Sequence, residues 1–161
     1  MNEEPVEIRL GALLRQRGLS LAVAESCTGG LVGHCITNVA GSSTYFMGGV
    51  ISYANEAKVR LLGVRGETLE KHGAVSRETV LEMARGVRNV FAANVGIAVS
   101  GIAGPGGGTP DKPVGTVWIG LSTPGVEQAW CYRLEGDRVQ IKEGAAGRAL
   151  EHLVEYLDGT G

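Results

Sequence analysis

Residues 21–41 read LAVAESCTGGLVGHCITNVAG. Leu21–Ala24 is a short apolar run of the kind a strand buried on both faces uses. The polar ESCTGG follows. Leu31, Val32, Cys35, Ile36 and Val39 then recur at helical spacing, and Gly41 closes the segment. A buried strand that turns directly into an amphipathic helix is the repeating unit of layered α/β proteins.

The pattern continues outward in both directions. Upstream, Val6, Leu10, Leu13 and Leu14 form one face of a helix that starts near Pro5 and ends at Gly18. Downstream, Tyr45–Ala54 reads as a second strand whose glycine pair marks a bulge. Asn55 is placed to cap a helix over EAKVRLLGV, and ETLEKHG adds a short helical turn. Ser76 is placed to cap a longer helix with Val80, Met83, Ala84, Val87, Val90 and Phe91 in phase. Val95–Ser100 is a third strand. The Gly- and Pro-rich stretch from Gly101 to Pro113 is a loop. VGTVWIGLS and EQAWCYRL form a hairpin across TPGV. Asp137 then caps a final helix from Arg138 to Leu157 that carries Ile141, Ala145, Leu150, Leu153 and Leu157. With no internal repeat and no linker, residues 1–161 are expected to form one layered α/β domain whose sheet the hairpin makes mixed.

Composition narrows the function classes. The chain has 161 residues, 43% hydrophobic and 20% charged, which is globular rather than disordered composition. Its formal charge of -2 lacks the basic excess of a nucleic-acid binder. No apolar run approaches the ~18 residues of a membrane span, and the acidic N-terminus lacks a signal-peptide core. Cys27, Cys35 and Cys131 fit neither a disulfide framework nor a zinc site, so a reduced, cytoplasmic chain is expected. His34, His72 and His152 are scattered, form no metal-ligand pair and read as surface or packing residues. Neither metal nor cofactor is expected. Glycine is over-represented: 26 residues, more than twice the usual ~7%. These glycines fall at element ends, which points to tight turns and close backbone approaches.

Ligands of open α/β sheets bind beyond the carboxyl ends of the strands. That rule selects three polar turns. In ESCTGG, Ser26 presents a hydroxyl, and the N–H groups of Cys27, Thr28, Gly29 and Gly30 lie near a helix start, where unpaired donors favour an anion or oxyanion. The same residues also read as an ordinary capping turn. A G-x-S-x-G elbow is absent, because Ala24 and Thr28 hold the glycine positions. Cys27 is a second nucleophile candidate because a helix start lowers a thiol pKa; it ranks below Ser26, with no histidine near in sequence, and also reads as a buried small hydrophobe. In SYANEAK, Tyr53 stands at a strand end, and Lys58 falls in the first helical turn, where the macrodipole disfavours its charge. A solvated surface lysine fits the same segment. SGIAGPGGG matches neither Walker A nor G-x-G-x-x-G. Its amides can still wrap a ligand, with Ser100 and Gly101 at the strand end, or it can serve as a plain crossover. Arg138 offers a fork to a phosphate or an exposed salt bridge.

Taken together, AESCTGG, GGVISYANEAKVRLLGV, GAVS, SGIAGPGGGTPDKPVGTVWIGL and GDR resemble the CinA C-terminal domain family, whose stand-alone members are nicotinamide mononucleotide amidohydrolases. The resemblance runs from about Leu10 to the last helix and implies a single three-layer α/β/α domain with a mixed, mostly parallel sheet. It implies hydrolysis of nicotinamide mononucleotide to nicotinate mononucleotide and ammonia, in pyridine nucleotide salvage. It makes Ser26 the nucleophile and Lys58 the base. Tyr53 and Ser100 become relay or orienting hydroxyls, and Cys27, Thr28, Gly29 and Gly30 the oxyanion amides. Gly101, Gly104, Arg138 and Lys142 become substrate-binding residues. Lys142 stands where many relatives carry an arginine, so it would meet a phosphate as a point charge rather than a fork. The resemblance also implies self-association, with Trp118 and Trp130 as interface or core residues. The alternatives are a binding or regulatory module of the competence/damage-inducible type without turnover, and a hydrolase for another amide.

Overall fold

The computed structural model describes residues 3–159. Its elements alternate as the sequence does. They are α1 (Val6–Arg17), β1 (Leu21–Glu25), α2 (Leu31–Thr37), β2 (Phe46–Ile51), α3 (Asn55–Leu62), α4 (Gly66–His72), α5 (Arg77–Phe91), β3 (Val95–Gly101), β4 (Thr116–Ser122), β5 (Glu127–Arg133) and α6 (Arg138–Asp158). One sheet runs in the order β2-β1-β3-β4-β5. β1 pairs in parallel with both β2 and β3, while β4 is antiparallel to β3 and β5. The expected mixed sheet is present, and β4 is the strand that reverses.

The strands sort their side chains by size as well as by face. Leu21, Val23, Val95, Ile97, Val99, Val117, Ile119 and Leu121 point to the side covered by α1, α2 and α6. Ala22, Ala24 and Ala98 point to the side covered by α5. Gly96 and Gly120 belong to that second face as well. An added Cβ at Gly96 would lie 2.2 Å from the Ala84 carbonyl oxygen, and at Gly120 2.6 Å from that of Val80. Small residues on this face therefore let α5 sit close against the sheet. Part of the glycine excess is spent on this approach rather than on turns.

Several boundaries differ from the sequence reading. α2 stops at Thr37, and Gly41 instead precedes a single 3-10 turn, Ser42–Thr44. β2 ends at Ile51, and its register against β1 slips between Leu21 and Ala22, which is the expected bulge. Asn55 is not a cap: Ala54 holds that position and Asn55 is already helical. Ser76 does cap α5, accepting from the Thr79 N–H at 3.2 Å. Val90 lies on the outer face of that helix at 56% exposure, one step out of phase with Val87. Asp137 caps α6 in a full capping box with Gln140. His152 is a packing residue, stacked on Trp130 at 3.7 Å, and Trp118 packs against the α5-side core.

β1 lies between β2 and β3, and the crossover from β1 to β2 through α2 and that from β2 to β3 through α3, α4 and α5 lie on opposite faces. This is the switch point at which α/β sheets open a crevice.

Candidate active site

The carboxyl ends of β1, β2 and β3 are drawn level by backbone bonds. The Ser26 N–H donates to Val99 O at 3.0 Å, and the Ser52 N–H to Glu25 O at 2.8 Å. A cavity of about 220 Å³ opens beyond them, lined among others by Ser26, Tyr53, Asn55, Lys58, Ser100 and Arg138. The described part of the chain also has a larger groove of about 480 Å³ between α3, α4 and α5, lined by Thr68, His72 and Glu82 among others but by no serine, cysteine or lysine.

Lys58 is not a surface lysine. It is 1% exposed. Side chains of a helix lean toward its N-terminus, so Lys58 reaches back past the start of α3. There its Nζ lies 2.7 Å from Ser52 O, 3.3 Å from Tyr53 O and 3.0 Å from Ser26 Oγ. Burial pushes its pKa below the ordinary value of 10.5. Desolvation dominates this shift, where the sequence pointed to the helix dipole. In the neutral amine, the two N–H groups go to the two carbonyls and the lone pair faces the Ser26 hydroxyl.

Cys27 is 6% exposed, and burial pushes its thiol up to about 11. A buried thiol of that kind is not a thiolate at neutral pH, so the expected lowering by the helix start does not occur. Of the two, Ser26 is the one whose side chain meets the buried Lys58 amine.

The helix start itself is already filled. Glu25 is 2% exposed, and its carboxylate accepts from the amides of Gly30 at 3.2 Å, Val32 at 2.9 Å and Gly33 at 3.1 Å. The Gly29 N–H donates to Ser26 O at 3.1 Å. Gly29 and Gly30 are therefore unavailable as oxyanion donors. Among the described residues, no other residue accepts from the Cys27 or Thr28 N–H, and the Cys27 N–H has only its own thiol beside it. The four amides expected to share one anion are thus divided, because the acid preceding Ser26 reaches the same place. The available signal was a glutamate at a strand end just before a helix start.

The remaining candidates gather around the cavity in different roles. Ser100 Oγ donates to Ala74 O at 2.8 Å and fixes the cavity wall. The Tyr53 hydroxyl accepts from Arg138 Nη2 at 3.0 Å, and Arg138 Nη1 donates to Gly104 O at 2.6 Å. Neither hydroxyl is bonded to Lys58, and the hold of Tyr53 on Lys58 is through its carbonyl. Gly101 packs against the β1 turn, where an added Cβ would stand 3.1 Å from Cys27 Sγ. Lys142 does not line the cavity. Its Nζ lies near Gly29, on the outer side of the turn.

The family model described as CinA C-terminal domain matches residues 3–157. This chain belongs to the CinA C-terminal domain family. It is 51% identical over 157 residues to a CinA-like protein of Kosmotoga olearia, covering 98% of this chain and 38% of that protein. A CinA-like protein of Thermotoga maritima is 47% identical over 159 residues, with 99% and 39% covered. The chain thus spans about two fifths of the length of these curated relatives. The solved structure of a CinA superfamily protein from Klebsiella pneumoniae superposes with a TM-score of 0.92 at 36% identity, covering 96% of each chain. No helix among the described residues of this CinA-family chain is long and apolar enough to cross a membrane.

Proposed function

We propose that this CinA-family domain is a nicotinamide mononucleotide amidohydrolase that uses Ser26 as nucleophile and Lys58 as base. One observation carries the reading: a fully buried amine, depressed in basicity, within 3.0 Å of a serine hydroxyl at the mouth of a crevice. An amide carbonyl is a poor electrophile and its amine a poor leaving group, and a Ser–Lys pair addresses both problems.

Neutral Lys58 takes the Ser26 proton as Oγ bonds to the carboxamide carbon. The carbonyl oxygen becomes an oxyanion between the Cys27 and Thr28 amides. Lys58 then returns the proton to the departing nitrogen, the C–N bond breaks, and ammonia leaves an acyl-Ser26 ester. Water attacks the ester as Lys58 takes its proton, and Lys58 passes that proton to Ser26 Oγ as the acyl C–O bond breaks and the carboxylate leaves. Arg138 stands at the mouth, where a mononucleotide's anionic end meets a guanidinium.

The test is ammonia release from nicotinamide mononucleotide by the purified protein in the presence of a chelator, alongside Ser26→Ala. Release that vanishes in the variant supports the reading. Full turnover by Ser26→Ala overturns the role of Ser26. Binding of the mononucleotide without release from the wild type points to a regulatory module.

A further inference from the structure

An α-helix begins with N–H groups that have no partner inside the helix, and they attract the nearest anion. In a site that must steer an oxyanion, such donors compete with the ones that stabilise the reaction. Here the competition is removed from within. Glu25 Oε1 takes Gly30 and Val32, Oε2 takes Gly33, and the Gly29 N–H closes on Ser26 O. The carboxylate thereby ties the far side of the turn to the end of β1. Glu25 is itself paired there with Val99 on one side and Ile51 on the other. The turn amides left open are those of Cys27 and Thr28, directly after the nucleophile.

We infer that Glu25 is a positioning residue: it fills the start of α2 so that the Ser26 hydroxyl and the Cys27 and Thr28 amides are held together for one reacting carbonyl. The inference rests on the amidohydrolase reading above. Glu25 acts through the backbone and touches no reacting atom. Its carboxylate matters because it accepts on both oxygens. In Glu25→Gln, the carboxamide has one acceptor oxygen, and its NH2 meets an amide donor. Glu25→Ala leaves three amides unpaired.

The experiment uses the full chain with two readouts. One is steady-state turnover of nicotinamide mononucleotide. The other is the rate at which a fluorophosphonate probe labels Ser26, followed by intact mass and scaled to the folded fraction measured by circular dichroism. The expected result for Glu25→Gln is a kcat about tenfold lower and for Glu25→Ala about 10²-fold lower, with KM within about twofold, as misplacement of a reacting group produces. Labelling should slow in parallel. A merely structural glutamate would lower the folded fraction and leave the labelling rate per folded molecule unchanged, and that result overturns the inference. So does Glu25→Gln at wild-type kcat. If wild type is labelled at Ser26 but releases no ammonia, the substrate assignment fails while the labelling rates still decide the role of Glu25. If wild type is not labelled at all, both readings fall.

Discussion

At the scale of single residues, the decisive pair is Ser26 and Lys58. Both are legible as residue types in the sequence, but their 3.0 Å contact spans 32 positions and is not. Groups that act as a unit lose activity non-additively. Ser26→Ala and Lys58→Met are each expected to reduce kcat by about 10⁴-fold or more, and the double variant to be no worse than either single one. A double-mutant cycle on ammonia release checks this, and additive losses would show that the two act independently. The pH profile follows from the lowered Lys58 pKa. On the proposed mechanism the active form is the neutral amine, so kcat/KM should rise with pH and level off below the ordinary lysine range. Lys58→Arg should be inactive at every pH because a guanidinium cannot serve as the base. An acid limb set near 10.5 would show a lysine untouched by burial.

At the scale of elements, helix propensity and packing point in opposite directions at one position. Gly86 lies inside α5, and replacing glycine by alanine in a helix interior ordinarily gains about 1 kcal/mol. Here the added Cβ would stand 1.8 Å from the Leu62 carbonyl oxygen at the end of α3. Gly86→Ala is therefore expected to lower stability, by about 1–3 kcal/mol as overpacking does. Thermal unfolding decides the sign, and a raised Tm would mean that α3 and α5 are not in close contact. Because α3 carries Lys58, the same variant should also lower activity. The elements themselves were largely readable. Apolar spacing located α5 and α6, and Ser76 and Asp137 cap them as their types predict. Asn55 failed as a cap because chain entry from Ser52 and Tyr53, where the carbonyls hold Lys58, starts the helix one residue earlier.

At the scale of the whole molecule, Arg138 joins three distant segments. From the start of α6 it binds Gly104 O in the β3–β4 loop and the Tyr53 hydroxyl after β2. A lysine in its place carries the charge but cannot make both bonds in one plane. Arg138→Lys is expected to raise KM for the mononucleotide about tenfold, the equivalent of one charge-assisted bond, with little change in Tm. An unchanged KM would confine Arg138 to bracing the loop.

What the sequence determined by itself is local. Alternation of apolar strands and amphipathic helices, with caps at their starts, is written in side-chain type and spacing, because each depends on neighbours within a few residues. The three polar turns at strand ends were visible for the same reason. Tertiary structure alone decided which of those turns meet and what each group does there. Only folding buries Lys58 against Ser26, lifts Cys27 to about 11, and brings the Glu25 carboxylate to the start of α2. Desolvation and hydrogen-bond pairing depend on everything packed around a group, and a linear pattern does not carry that information.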